Sequence, residues 1–430
     1  MDISLQDILA AREARVQRQQ QLLQQYCLPI VCFTMNIPGP QKNSPLIRRG
    51  FDEGISMLEK GLANIVFRDV FYAATGCEGY FVVDADASAI KAICTEIEES
   101  CPLGRLFDMD VLDAAGKKLE RPIQRGCMVC GKAGRYCAAS RAHSVALLQQ
   151  TTQQILNAHF AAKHIAQLAV QALLDEVHTT PKPGLVDEGN CGSHSDMDIP
   201  LFTASAHALQ PYFFKCVLLG QQTADSAPEE TFPLLRAAGM DAEKQMLAAT
   251  NGVNTHKGAI FTLGILCGAV GRMQKTDDPM EILAESGRMA KPFMEADFAS
   301  ITTPQTAGQR LYRELGLTGI RGEAALGFPS IANIGLPIYL QQLSNGKSKN
   351  DAAAITLLHL IAHVQDTNLY RRGGKAGAEF AKNAAAAILP HPTAAEIAEL
   401  DRKFIEKNLS PGGCADLLAA TLFITAFRSV

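Results

Sequence analysis

His159-Phe-Ala-Ala-Lys-His-Ile-Ala-Gln-Leu-Ala-Val-Gln-Ala-Leu-Leu-Asp-Glu-Val177 decides the fold of most of this chain. Its apolar residues return at steps of three and four, which gathers them on one helix face and departs from the two-residue period of a strand. The same spacing recurs in Ala352 to Val364 and in Ala415 to Phe427. From Ser144 onward the helical pattern is nearly unbroken, in Ala- and Leu-rich segments separated by Gly/Pro-rich motifs. Residues 151–430 therefore read as a large all-α domain whose interhelical loops hold the polar side chains. A glutamine-rich stretch near residue 150 marks the join to the N-terminal part, within one continuous helix.

Residues 1–150 read as an α/β domain with a mixed sheet. Ser4 with Asp7 three residues later has the form of a capping box and opens a helix that ends before Pro29. Leu28 to Met35, rich in β-branched and aromatic residues, reads as a buried strand. A turn-rich loop, Asn36 to Pro45, comes after it; Gly79 to Ala85 and Phe107 to Leu112 read as strands, with a helix at Ala87 to Glu99.

The chain has 430 residues, 47% of them hydrophobic and 20% charged, enough apolar content for real cores and too little charge for disorder. Forty basic residues against 44 acidic ones leave a net charge of −4, so nothing favours a nucleic-acid or membrane-surface binder. The longest apolar run, Gly258 to Val270, falls short of the roughly 20 residues that span a bilayer. The opening residues lack a continuous apolar core, so no signal peptide is read and a cytoplasmic location is expected. With no export signal, the 12 cysteines are expected to be reduced. Two familiar motifs fail: Gly346-Lys347-Ser348 lacks the first glycine of a phosphate-binding loop, having Gln341 there, and His359 with His363 lacks the glutamate of a zinc protease, having Leu360.

In Gly104-Arg-Leu-Phe-Asp-Met-Asp-Val111 an extended backbone buries Phe107, Met109 and Val111 and projects Asp108 and Asp110 together from the other face. Two carboxylates that close repel unless a cation sits between them, so the pair suits Mg²⁺ and phosphate chemistry. Arg105 stands beside them, and the segment from Asn36 to Arg49 brings Asn36, Gly39, Lys42, Ser44, Arg48 and Arg49. Metal plus basic loop is the equipment of nucleotidyl transfer, and a nucleotidyltransferase-like domain is expected. The phrases FTMNIPGPQKNSPLIRRGF, GRLFDMDV and CMVCGKAGRYCAASRAHS resemble the holo-citrate lyase synthase family over roughly residues 1–150. That resemblance implies transfer of a phosphoribosyl-dephospho-CoA unit to a serine of the citrate lyase acyl carrier (gamma) subunit, with release of diphosphate. It further implies that Asp108 and Asp110 hold the metal while Arg105 and the Lys42–Arg49 loop hold phosphate. Cys127-x2-Cys130-x6-Cys137 with His143 beyond has zinc-ligand types, but one C-x-x-C and irregular later spacing favour a reduced structural cluster.

The densest polar cluster runs from Glu176 to Asp198. Pro181 and Pro183 flank Lys182 and forbid a helix there, while Asp187, Asn190, His194, Asp196 and Asp198 lie just beyond. Asn254, His256 and Lys257 precede an apolar helix, a place suited to phosphate. Further motifs offer Arg321 with Glu323, then Asp366, Asn368, Arg371 and Arg372, and finally Asp416 in the first turn of the last helix. Together these predict an interhelical pocket for a polyphosphate with Mg²⁺.

The phrases EVHTTPKPGLVDEGNCGSHSDM, GVNTHKGAIFTLG, GLTGIRGEA, QDTNLYRRGG and SPGGCADLLA resemble the triphosphoribosyl-dephospho-CoA synthase family over roughly residues 155–430. The resemblance implies that ATP ribosylates the 2′-hydroxyl of 3′-dephospho-CoA, with adenine leaving. Asp187, Asp196 and Glu323 are then candidates for the base, and His194 or His256 for the proton donor. Lys182, Lys257, Arg321, Arg371 and Arg372 would neutralise the triphosphate, with Asn190, Asn254, Asp366 and Asp416 completing the pocket and Asp187 and Asp196 holding Mg²⁺. The two families act in sequence, so the chain reads as a bifunctional transferase that matures citrate lyase. The alternatives are the same chemistry serving the malonate decarboxylase carrier subunit, and a non-enzymatic nucleotide-binding scaffold.

Overall fold

The computed structural model describes residues 4–121, 123–274 and 276–428. They fall into two compact units, Met1–Ala161 and Ala162–Val430. Val145–His178 is one helix, so the glutamine-rich join lies inside it.

The first unit holds strands β1 (Ile30–Met35), β2 (Ile65–Ala73), β3 (Gly76–Val83) and β4 (Phe107–Leu112), in the order β2-β3-β1-β4. Every pairing is antiparallel, where a mixed sheet was expected. The reason is interleaving. The helices Pro45–Gly61 and Ala87–Glu99 each join two strands that run the same way, and an opposed strand is inserted between the members of each pair.

Because β1 is covered on both faces, it reads as a continuous apolar run. On one face Phe33 stacks on Phe51 with ring centroids 4.8 Å apart and meets Phe107 edge-on at 5.2 Å. Each buried ring contributes on the order of 1.5–3 kcal/mol. Gly54 makes room for them, since a Cβ there would enter the Phe33 ring. On the other face Leu22, from the helix Leu5–Tyr26, packs with Ile30, Cys32, Tyr80 and Val82. Ser4 and Asp7 cap that helix reciprocally, as the sequence predicts.

The second unit is all helical. Lys257–Arg272, Lys349–His363 and Gly412–Arg428 form its interior, buried along most of their length. The helix Gln210–Gln222 approaches Lys257–Arg272 backbone to backbone: a Cβ on Gly220 would strike the Gly268 carbonyl, and one on Gly271 the Val217 carbonyl. No helix among the described residues is long and apolar enough to cross a membrane.

Candidate active sites

In the helical unit a cavity of about 560 Å³ opens where the helices Lys257–Arg272, Thr367–Ile388 and Gly412–Arg428 begin. Helix N-termini present unpaired N–H groups and the positive end of the dipole, so the cavity favours anions before any side chain is counted. Its charged walls are Lys182, Lys257, Arg371 and Arg372 against Glu176, Glu323, Asp366 and Asp416.

Lys182 is 1% exposed, and its Nζ donates to the Glu176 carboxylate and carbonyl, both at 2.6 Å. His256 is also buried; its Nδ1 lies 2.7 Å from Ser205 Oγ, which accepts from Thr255 Oγ1 at 2.7 Å. Ser205 Oγ still has its own hydrogen to give to Nδ1, so the neutral ring can carry its proton on Nε2, which has no hydrogen-bond partner. Burial, reinforced by the charge of Lys182, pushes this imidazole down to about 3, so it is neutral in the working range. His194 is lowered too, by burial and by Arg372, which donates to its Nδ1 at 3.2 Å. Ser410 Oγ lies 2.9 Å from its Nε2. A role for either ring as an imidazolium acid is thereby disfavoured.

Asp416 reaches into the space left by the missing side chain of Gly258; a Cβ there would collide with its carboxylate. Burial and the charges of Glu176 and Asp366 push this carboxyl well above the usual range. Glu323 is oriented by Ser330, whose amide and hydroxyl donate at 3.0 and 2.7 Å. Asp366 caps the helix Thr367–Ile388 through the Asn368 amide at 2.7 Å and ties it to the Cys414 amide at 2.9 Å.

Not every predicted residue opens into the cavity. Asp187 is saturated by the amides of Lys182, Gly189 and Asn190 and by the Thr180 hydroxyl, at 2.8, 2.8, 3.0 and 3.0 Å. Asn190 donates to Asp401 at 2.8 Å, and Asp401 also accepts from the Gly184 amide at 2.7 Å. These residues shape the loop. Asp196 is exposed, 3.9 Å from the His194 ring, so Asp187 and Asp196 do not form one open site for Mg²⁺. Arg321 points outward to Asp297 at 3.9 Å. Asn254 lines the cavity and accepts from the Lys257 amide at 3.3 Å, while Lys257 Nζ pairs with Glu243 at 2.8 Å.

In the sheet unit, β4 pairs Asp108 with Thr34 and Asp110 with Cys32, which sets both acids on one face. Asp108 is exposed on β4, yet desolvation by the surrounding protein and the charge of Asp110 raise its carboxyl. Lys118 pairs with Asp110 at 2.6 Å, and Arg125 and Lys91 also face Asp108 electrostatically. The expected basic loop docks differently: Asn43 donates to Ala73 at the end of β2, Arg48 to Asn43 at 2.7 Å, and Lys42 to the Ile37 carbonyl. Arg105 is held by the Gly126 carbonyl. Asn36, whose amide donates to the Leu106 carbonyl, stays beside the start of β4.

Residues 162–430 match the family model CitG, ATP:dephospho-CoA triphosphoribosyl transferase, and residues 3–159 match CitX, apo-citrate lyase phosphoribosyl-dephospho-CoA transferase. A relative from Haemophilus influenzae described as Protein CitXG is 37% identical, covering 99% of this chain and 97% of its own. Another of that description, from Leuconostoc mesenteroides subsp. cremoris, is 33% identical over 98% of this chain and 97% of its own. The chain belongs to the CitXG family. A Vibrio cholerae relative is 43% identical over 60% of this chain and 87% of its own.

As a CitXG protein the chain is a bifunctional transferase of citrate lyase prosthetic-group synthesis. ATP and dephospho-CoA are the substrates named by the CitG family, and apo-citrate lyase the target named by CitX. Several CitXG residues at these sites escaped the sequence reading. Ser205 and Asp401 act through partners distant along the chain and leave no local signal, while Ser410 opens the motif SPGGCADLLA but shows its contact with His194 only in the fold. Glu98, which accepts from the Met109 amide at 2.8 Å and pairs with Arg125 at 2.9 Å, sits among ordinary helical residues.

Proposed function

We propose that the helical unit joins ATP to 3′-dephospho-CoA through the ribose, and that the sheet unit, nucleotidyltransferase-like in its chemistry, passes the product to the acyl carrier (gamma) subunit of citrate lyase. These substrates suit a cytoplasmic enzyme. In the first reaction the 2′-hydroxyl of dephospho-CoA attacks C1′ of the ATP ribose. The bond from C1′ to adenine breaks, and the triphosphate stays on the sugar. Positive charge builds on the ring as adenine departs, so the site needs a base for the hydroxyl proton and a donor beside the leaving group.

Glu323 is the base in this reading, since Ser330 fixes its carboxylate at the cavity wall. His256 faces adenine: its neutral, unpartnered Nε2–H donates a hydrogen bond as charge develops on the departing ring. Arg371, Arg372 and Lys257 meet the triphosphate at the helix N-termini. Lys182 holds Glu176, and Asp187 and Asn190 hold the loop that carries Lys182. Lys182 is paired with Glu176 and Lys257 with Glu243, so the basic walls alone do not neutralise a triphosphate. Asp416, with Glu176 beside it, would hold Mg²⁺, which would supply positive charge for the triphosphate.

In the second reaction a serine hydroxyl of the carrier attacks the α-phosphorus and diphosphate leaves. Asp108 and Asp110 would hold Mg²⁺ there, with Lys118 and Arg125 the nearby cations. The observation that carries the reading is the placing of Asp416 over Gly258, beside the acids Glu176 and Asp366, in a cavity at three helix N-termini whose walls also carry Arg371 and Arg372. Protein given ATP and dephospho-CoA should release adenine and no ADP. Addition of the gamma subunit should then yield diphosphate and a carrier heavier by the prosthetic group. Release of ADP, or modification of the malonate decarboxylase carrier alone, overturns it.

A further inference from the structure

Between Asp113 and Ser144 the described chain has almost no core: Cys137 is its one buried residue, and Ile123 and Tyr136 are 77% and 67% exposed. Such a segment cannot be held by apolar burial, yet it is folded tightly. Gly131, with φ +70°, turns the chain after Cys130, and its amide donates to the Cys127 carbonyl at 2.9 Å. The Cys127 amide returns to the Lys132 carbonyl, and the Val129 amide points at Cys127 Sγ from 3.5 Å. The short helix Gly134–Ala139 then delivers Cys137, and the chain doubles back so that His143 Nε2 lies 3.3 Å from Cys130 Sγ.

The result is a convergence of four donors. One ligand atom from each of Cys127, Cys130, Cys137 and His143 lies within 4.8 Å of every other. A tetrahedral zinc site, with bonds of about 2.3 Å to sulfur and about 2.0 Å to nitrogen, has edges of roughly 3.5–3.8 Å. Cys130 and Cys137 are 3.5 Å apart at sulfur, close to that edge and far from the roughly 2.05 Å of a disulfide. Among the described residues this is the one group of three or more such side chains so arranged.

We propose that the sheet unit carries one structural Zn²⁺ bound by Cys127, Cys130, Cys137 and His143. Four protein ligands close the shell, so the ion is a clip and not a Lewis acid for substrate. What it clips is functional. The same segment presents Arg125, which pairs with buried Glu98 at 2.9 Å and donates to the Phe107 carbonyl, and Gly126, whose carbonyl holds Arg105. Zinc thereby positions Arg125 beside the strand that bears Asp108 and Asp110. The metal site stands on its own geometry; its effect on carrier modification rests on the function proposed above.

The test is metal analysis of the full-length chain, purified without chelator under reducing conditions. About one zinc per chain is expected, with Cys130→Ser and His143→Ala each losing most of it while adenine release, a check that the helical unit is folded, stays unchanged. Replacement by Co²⁺ should give the visible absorption of a tetrahedral thiolate site. Carrier modification by the zinc-depleted variants should fall about tenfold or more. Wild-type chain free of zinc, iron in its place, or a mapped Cys130–Cys137 disulfide overturns the proposal. Zinc at one per chain with no carrier modification under any condition supports the metal site and removes the transferase reading.

Discussion

Both units handle phosphate-rich molecules, but they do so on very different amounts of buried protein. The helical unit ends three long helices on one cavity, two of them from its interior. The sheet unit sets two acids on β4, at the edge of a four-stranded sheet, beside a segment nearly without a core. Depth changes the chemistry of the same side chains. In the helical unit burial holds an imidazole down to about 3 and lifts the Asp416 carboxyl well above its ordinary range. On β4 desolvation leads the rise of the Asp108 carboxyl and the charge of Asp110 adds to it, while the cations Lys118 and Arg125 lie on the adjoining segment. At the deep site neighbouring acids reinforce the effect of burial, whereas on β4 Lys118, Arg125 and Lys91 oppose it.

The sharpest way to break this contrast is to disable each site separately. Asp416→Asn should cut adenine release about 10³-fold while leaving carrier modification from preformed intermediate intact, and Asp108→Asn should do the reverse by about 10²–10³-fold. Chromatography of adenine and intact mass of the carrier read the two outcomes; loss of both activities in either variant would mean that the two sites are coupled. Next in size is Lys182→Met, which strands Glu176 in the interior. A cost of about 3–5 kcal/mol is expected, seen as a lowered unfolding transition of the helical unit in calorimetry with the sheet unit's unchanged.

His256→Gln should lower adenine release about 10–100-fold and alter the acid limb of stability. An ordinary histidine titrates near 6.5, and this one is held down to about 3, so the unfolded state binds more protons between those values. Stability of the helical unit then rises with pH across that window and is lost on acidification through it. The variant should flatten that slope in urea titrations; an unchanged slope would place the buried charge cost elsewhere. Smallest is Arg321→Ala, expected to change adenine release less than about twofold because its guanidinium faces Asp297 outside the cavity. A large loss in kcat/KM would bring Arg321 back into the site.

The helices of the second unit were legible because their period is local: Ala415 to Phe427 lies within a single helix, and Ala352 to Val364 lies within another up to its C-cap, Val364. In the first unit β4 and the helix Ala87–Glu99 match their sequence bounds. The helix Pro45–Gly61 went unread although Ser44 caps it and Pro45 opens it, because those residues also end a turn-rich loop. Strand β2 was hidden by a bulge between Ile65 and Phe67, which breaks its alternation. The cavity motifs were visible as clusters, yet their division of labour was not. Asp187 looks like a ligand in sequence and proves to be a loop brace, because four donors from its own turn take up its oxygens.

Read alone, the sequence determined the helical and α/β character of the two parts, the carboxylate pair on one face of β4, and the polar motifs between helices. Each depends on neighbours within a few residues, where periodicity and turn chemistry act. Tertiary structure alone decided that the sheet is antiparallel, that Asp416 and not Asp187 opens into the cavity, and that His256 is neutral. Those facts depend on burial and on partners such as Asp366 with Cys414, 48 residues apart, and desolvation is a property of the packed surroundings.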